Sequence, residues 1–232
     1  MLERIRKTFG LTGNQLKVIA MTAMTCDHVG LQLFPQVQLL RVIGRLALPI
    51  YAYMIAEGCR YTRDRKRYLQ RMGVLALLCQ VVYFAAMGSL YQCILVTFSL
   101  SICLIYLMDY LKKRGNWDLR AKCLFFGSFA AVFFLCEILP LLLPNTDFYI
   151  DYGISGVLLP VMIYMGKPIH GLILGLALLG LQHGGLQWLA LAAVPLLMLY
   201  NGQRGRAGLG KLFYIYYPAH LAAIYGLSLF LV

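Results

Sequence analysis

Charge is scarce in this chain. Asp, Glu, Lys and Arg make up 13% of its 232 residues, against ~25% in an ordinary soluble domain. The few charges are clustered, and long apolar runs separate the clusters. Such a chain cannot cover its exterior with water-binding groups, which excludes a soluble monomer. Metal-ligand spacings are also missing. None of Cys26, Cys59, Cys79, Cys93, Cys103, Cys123 and Cys136 forms a C-x-x-C pair, so the cysteines show no ligand pattern. Their odd number, and their place inside apolar runs, argue against a disulfide framework and for small buried hydrophobes. No A-x-A-type cleavage site follows the basic first thirteen residues, so no cleavable leader is expected. No basic segment is interleaved with exposed aromatics, so no nucleic-acid partner is expected.

What the chain has instead is apolar length: 61% of its residues are hydrophobic. A membrane-crossing helix needs about 20 apolar residues, fewer inside a bundle. Nine stretches meet that description, at residues 14–34, 39–59, 72–88, 91–111, 123–144, 151–166, 168–182, 184–200 and 210–231. The expected fold is therefore all-α, a polytopic transmembrane helical bundle formed by one domain over 1–232. Only Gly166, Lys167 and Pro168 join the sixth and seventh stretches.

Charge tests that count. Lys and Arg accumulate in cytoplasmic loops. With a cytoplasmic N-terminus, one side collects Arg4, Arg6, Lys7 and Lys17, then the run Arg60, Arg63, Arg65, Lys66, Arg67 and Arg71. It also collects Lys112, Lys113, Arg114, Arg120 and Lys122, then Lys167, Arg204, Arg206 and Lys211. That is 19 of the 21 basic residues. The opposite loops hold none, and 145–151 is acidic. This predicts a multi-pass protein of a bacterial cytoplasmic membrane, with the lipid bilayer as its first partner.

The two remaining basic residues, Arg41 and Arg45, fall inside the second span. An ionisable group at membrane depth costs several kcal/mol, so it is paired and marks function. The others at depth are Asp27 and His28 in span one, Glu57, Glu137, and His220 in span nine. With a rise of about 1.5 Å per residue, His28 lies roughly 21 Å from the inner face. Arg45, about 9 Å below the outer end of span two in a ~30 Å core, lies at the same level. A very short loop joins the two spans, so an Asp27–Arg45 ion pair is expected. Arg41 sits one turn from Arg45 on the same face. The same count puts His220 roughly 14 Å up, at mid-membrane. Pro49 and Pro218 cannot donate to the carbonyls of Arg45 and Tyr214, and kinks of this kind line polar cavities. Glu57, near the inner surface, is placed to pair with Arg60 or Arg63. Glu137 reads as an interhelical hydrogen-bonding group, and His170 and His183 as structural histidines.

Several local patterns occur together: Leu16-Lys17-Val18-Ile19-Ala20, Asp27-His28-Val29-Gly30, and Arg41 with Ile43-Gly44-Arg45-Leu46-Ala47 and Pro49. Further along come Ala56-Glu57-Gly58, Thr62-Arg63, Tyr68 with Arg71, Asp151-Tyr152-Gly153, Tyr200-Asn201-Gly202, and Tyr217-Pro218-Ala219-His220-Leu221. In this combination the chain resembles the TraX family, named for the conjugative-plasmid protein that N-acetylates F-type pilin.

The resemblance implies a membrane acyltransferase with acetyl-CoA as co-substrate and no metal. It would move an acetyl group to an extracytoplasmic acceptor, either a pilin N-terminal amine or an amino sugar or glycan. The catalytic residues would then be His28 as general base, with Asp27, Arg41, Arg45 and His220. His220 is the rival base or an acceptor ligand. Arg63, Arg71, Glu57, Asn201 and Arg204 would serve the CoA side. Asp151, Tyr152 and Tyr217 would serve the acceptor. The same buried charges also suit a proton-coupled small-molecule transporter built on Asp27, Arg45 and His220, although no internal repeat of the transporter kind is visible. A purely structural assembly subunit is the third reading.

Overall fold

The computed structural model describes residues 10–115, 118–206 and 210–231, apart from the side chains of Lys211, Phe213, Tyr214 and Leu231. Arg4, Arg6, Lys7 and the side chains of Lys211 and Tyr214, used in the charge and span arguments above, lie outside the described residues.

Helices account for the architecture of the described residues, and two isolated bridges stand in for any strand. The helices follow the predicted spans closely. Span one is α1 (Gly13–Gln32), and span two is α2 (Gln38–Gly44) followed by α3 (Ala47–Tyr61). Then come α4 (Arg65–Met87), α5 (Ile94–Arg114) and α6 (Leu119–Phe133), which continues through a π-turn, Phe134–Ile138, into α7 (Leu139–Leu142). The last four spans are α8 (Gly153–Met165), α9 (Pro168–His183), a 3₁₀ turn with α10 (Gly185–Ala192, Ala193–Met198), and α11 (Gly210–Leu231). The sixth and seventh spans are thus separate helices, as the sequence divided them.

Four stretches are long and apolar enough to cross a membrane: Gln38–Tyr61, Arg65–Met87, Ile94–Arg114 and Leu119–Leu142. Among the described residues there are nine helical stretches, as many as the crossings expected, and these four have the length and composition to cross. For Gly153–Met165, Pro168–His183 and Gly185–Met198 the reason they fall outside these four is length. A helix as short as Gly153–Met165, 13 residues, covers about 20 Å at the helical rise, less than a ~30 Å hydrocarbon core.

The chain divides into two compact units. One is Met1–Met54 with His183–Val232, and the other is Ile55–Gln182. In the first, Thr12 caps α1 in a capping box: its hydroxyl accepts from the Gln15 N–H, and the Gln15 amide oxygen accepts from the Thr12 N–H at 2.8 Å. This satisfies donors that a helix start otherwise leaves open. The segment 199–204 runs beside 10–14. Leu11 N–H donates to Leu199 O at 2.9 Å, Gly13 N–H to Gln203 O at 2.7 Å, and Asn14 N–H to Arg204 O at 3.0 Å. Leu16, Ala20, Ile50, Ala52, Ala193 and Leu197 are fully buried and form this unit's core.

Span two is broken rather than merely kinked. The Arg45 N–H donates to Val42 O and the Leu46 N–H to Ile43 O, both at 3.2 Å. These tight bonds close α2 one turn before Pro49. A proline there removes the N–H that would reach Arg45 O, and its ring crowds that carbonyl.

In the second unit, α4 turns Val74, Leu77, Leu78, Val81, Val82 and Phe84 outward. An exposed apolar face of that size suits a lipid surface and is out of place in water. Small polar residues let α5 and α8 approach: Ser101 donates to Val157 O at 2.8 Å, and Thr97 to Asp151 O at 2.7 Å. Such side chains are common where helices pack inside membranes. Arg60 donates to the α8 terminal carbonyls of Ile163 and Tyr164 at 2.7 and 2.8 Å and pairs with Glu57 at 3.2 Å. A cation on orphan carbonyls is favourable both as a donor and through the helix dipole. Arg65 pairs with Asp109 at 2.6 Å, and the Tyr164 hydroxyl donates to the same carboxylate at 2.6 Å.

Glu137 lies on the π-turn. Its Oε1 accepts from the Ile154 N–H at 2.8 Å and from Gln182 Nε2 at 2.9 Å. It therefore caps the start of α8 from another helix, which fits the hydrogen-bonding role read from the sequence.

Candidate functional site: a histidine pair beside a carboxylate held by two arginines

All the groups of this site belong to the first unit. Helix α1 carries Asp27 and His28 next to each other. The short connection after α1 returns the chain as α2, which brings Arg41 and, just past its end, Arg45 to the level of Asp27. Arg41 Nη1 donates to Asp27 Oδ2 at 2.8 Å, and Arg45 Nη2 donates to Asp27 Oδ1 at 2.5 Å. The expected Asp27–Arg45 pair is present, and Arg41 shares the same carboxylate. The side chains are 16% exposed for Asp27, 10% for Arg45 and 26% for Arg41, so Arg41 keeps the most open edge.

Gly44 makes this pairing possible. A Cβ there would run into the Asp27 carboxyl group and its Cβ. Gly44→Ala should push Asp27 off its arginines and destabilise the protein by about 1–3 kcal/mol, the usual cost of overpacking. Gly127→Ala, where a Cβ meets nothing within 4 Å, is the matched control. Melting temperatures of the two variants in detergent check this, and equal shifts would contradict it.

Arg45 is tied further. Its Nε donates to Arg41 O at 3.3 Å, and its Nη1 donates to Gln187 Oε1 at 3.0 Å. Gln187 comes from the 3₁₀ turn after α9. Sequence reasoning missed it. The only signal was one amide in an otherwise apolar run.

His28 meets His220 of α11. His28 Nδ1 and His220 Nε2 are 2.9 Å apart, with ring centroids at 5.0 Å. The other nitrogen of His220, Nδ1, is 2.9 Å from the carbonyl oxygen of Tyr216. A carbonyl oxygen only accepts, so His220 Nδ1 carries a proton and donates. With both rings neutral, His220 Nε2 is then the acceptor and His28 Nδ1 the donor. The free lone pair of the pair sits on His28 Nε2, which makes none of the described hydrogen bonds. The Tyr216 ring stacks on His220 at 5.2 Å, and the buried Tyr217 meets it edge-on at 5.6 Å. Thr25 and the Tyr216 hydroxyl lie 2.6 Å apart, one turn before the Asp27–His28 pair. Residue counting put His220 about 7 Å below His28, yet the two rings touch. Counting assumes upright helices that start level, and it leaves out the reach of the two side chains toward each other.

The remaining predicted site residues fall elsewhere. Asn201 and Arg204 are in the first unit, on the segment beside 10–14. The Asn201 side chain is spent locally: Oδ1 accepts from the Gln203 N–H at 2.9 Å, and Nδ2 donates to Gly10 O at 3.3 Å. The segment closes as a turn there, while Arg204 is exposed. Arg63, Arg71, Glu57, Asp151 and Tyr152 belong to the second unit. Arg63 and Arg71 are exposed. Tyr152 has φ +60°, the one positive value among the described non-glycine residues. Glycine-like backbone on a tyrosine costs of order 1–3 kcal/mol and persists at functional positions.

The profile of the TraX protein family matches residues 12–228. The chain belongs to the TraX family. A curated relative is the probable fimbrial assembly protein FimC, serogroup H1, of Dichelobacter nodosus. It is 27% identical over 250 residues, spanning 94% of this chain and 96% of that protein. An uncharacterised Rickettsia prowazekii (strain Madrid E) protein is 33% identical over 91 residues, 39% of this chain and 35% of that one. No solved structure matches the chain. All of the motifs that carried the resemblance to TraX, from Leu16-Lys17-Val18-Ile19-Ala20 to Tyr217-Pro218-Ala219-His220-Leu221, fall inside the matched region.

Proposed function

We propose that this TraX protein is a membrane acetyltransferase that carries an acetyl group from cytosolic acetyl-CoA to an amine or hydroxyl acceptor across the membrane. The observation that carries the reading is the histidine pair, which leaves one basic nitrogen, His28 Nε2, on the residue next to the carboxylate that two guanidinium groups hold.

In the proposed reaction the acceptor nitrogen or oxygen attacks the thioester carbonyl, and His28 Nε2 takes its proton. A new C–N or C–O bond forms and a tetrahedral oxyanion develops. The C–S bond then breaks, and the proton on His28 passes to the departing CoA sulfur. General-base help of this kind contributes ~10²–10⁴-fold. His220 holds His28 in the tautomer with Nε2 free, and its own Nε2 lone pair supports the imidazolium that forms. His220 is thus a positioning residue, since both its nitrogens are engaged. Asp27 is an anchor for the arginines, which leaves it unsuited to serve as the base. Arg41 and Arg45 supply the positive field that favours the oxyanion.

Arg63, Arg71 and Arg204 are proposed as CoA phosphate contacts on grounds of charge and exposure. Glu57 is held by Arg60 and Asn201 by its own turn, so each supports the backbone of its own unit. Asp151 and Tyr152 are proposed acceptor contacts, supported by the strained backbone at Tyr152, and Tyr217 lines the His220 side. The orientation proposed from charge puts the N-terminus and the basic loops in the cytoplasm of a bacterium. The role in the name of the FimC relative, fimbrial assembly, favours a pilin N-terminal amine as acceptor over an amino sugar.

Calorimetric titration of purified protein with acetyl-CoA tests the reading. Wild type and His28→Ala are expected to bind, and Arg63→Ala to bind at least tenfold more weakly. A lipid-supplemented wild type that binds no acetyl-CoA would overturn it and bring the transporter forward.

A further inference from the structure

We infer that Gln187 is a catalytic residue of this site, a directed N–H donor to the carbonyl oxygen of the acyl group. The inference rests on the acyl-transfer reading above.

Gln187 is 5% exposed, so its polar atoms are out of reach of bulk solvent. Arg45 Nη1 lies 3.0 Å from one of them. A guanidinium is a donor only, so the atom facing it must be the amide oxygen. That fixes the flip: the NH₂ group points away from Arg45. Nε2 is buried and has no hydrogen-bond partner among the described residues. A buried donor left without an acceptor costs ~1–3 kcal/mol, and such a group in a native protein calls for an explanation.

The surroundings say which kind of partner is missing. The acceptors that face the arginines are engaged: both Asp27 oxygens by Arg41 and Arg45, and Gln187 Oε1 and Arg41 O by Arg45. None of them is bonded to Gln187 Nε2, which stands in this cluster as a buried donor with no acceptor. A carbonyl oxygen that gains negative charge as it is attacked is such an acceptor. Arg45 holds the amide rigid, so its N–H groups are aimed before the reaction begins, the condition under which such donors act most strongly.

The alternative role, a prop for Arg45, makes a different prediction. Gln187→Glu keeps an oxygen toward Arg45 and replaces the NH₂ donor with a second acceptor. Gln187→Met keeps the size and removes both functions. If Nε2 donates to the acyl oxygen, Gln187→Glu should lower kcat by ~10²–10³-fold, the cost of losing one oxyanion donor. Melting temperature should be unchanged. Binding supplies a second readout. Wild type should bind acetyl-CoA more tightly than S-ethyl-CoA, which lacks the carbonyl, and Gln187→Glu and Gln187→Met should lose that preference while still binding both. Gln187→Glu with kcat within threefold of wild type, or with the preference intact, would overturn the role of Gln187 and leave the acyltransferase standing. A wild type that binds neither compound would overturn the acyltransferase reading itself, and with it this inference.

Discussion

His28→Gln should abolish acetyl transfer while leaving acetyl-CoA binding in place. Glutamine keeps a polar side chain of similar reach that can still meet His220 Nε2, but it has no basic nitrogen. The loss expected is ~10²–10⁴-fold in kcat, the usual contribution of a positioned base. His220→Gln should cost less, because it disturbs the tautomer of His28 and leaves the base present. The pair separates the roles of the two rings: the His28 variant should be dead at every pH, and the His220 variant should retain a shifted pH profile. Single-turnover rates across pH check this. Equal losses for both, with identical profiles, would show that the rings act as one unit. Retained activity in His28→Gln would remove it as the base.

Asp27→Ala should have the largest effect on stability of any single change in the first unit. The Asp27 carboxylate is shared by Arg41 and Arg45 at 2.8 and 2.5 Å, and the three side chains are mostly buried. Removing one partner of a buried ion pair costs about 3–5 kcal/mol, because the remaining charge keeps its desolvation penalty. Here the carboxylate common to two guanidiniums goes. Replacing all three with apolar residues of similar size should recover much of that loss, since a buried ion pair is worth little more than good packing. Asp27→Ala alone, Arg41→Met/Arg45→Met, and the triple variant form the series, read as melting temperatures in one detergent. A single Asp27→Ala variant as stable as wild type would show that the arginines find counter-charge elsewhere.

Much of this arrangement was legible in the sequence. The nine apolar stretches correspond to nine helical stretches among the described residues, because hydrophobic length and basic punctuation are both written locally. The Asp27–Arg45 pair was legible for a related reason. A short connection leaves two helices no option but to run antiparallel, so counting residues from the turn fixes which side chains are level. The same counting failed for His220, which is 192 residues from His28 in the chain. Nothing local sets the height of α11 against α1, or which of its faces turns inward. Gln187 was invisible for a different reason. A lone amide in an apolar run has no partner in sequence, and its significance appears only when Arg45 fixes its orientation. The bonds of Asn201, to Gln203 N–H and Gly10 O, were not legible either, because Gly10 is 191 residues away in the chain. The break in span two was half legible: Pro49 announced a kink, and the tight bonds at Arg45 and Leu46 turned it into a gap.

The most direct test of the central claim is acetyl transfer across a sealed membrane. Purified protein would be placed in liposomes with a pilin N-terminal peptide or glucosamine enclosed and acetyl-CoA added outside, and vesicles with the basic loops outward would be scored. The account predicts that free CoA thiol appears outside and an acetyl group appears on the enclosed amine. It also predicts that both signals vanish together with His28→Gln. Movement of a solute without release of CoA thiol, or acetylation that survives His28→Gln, would contradict it.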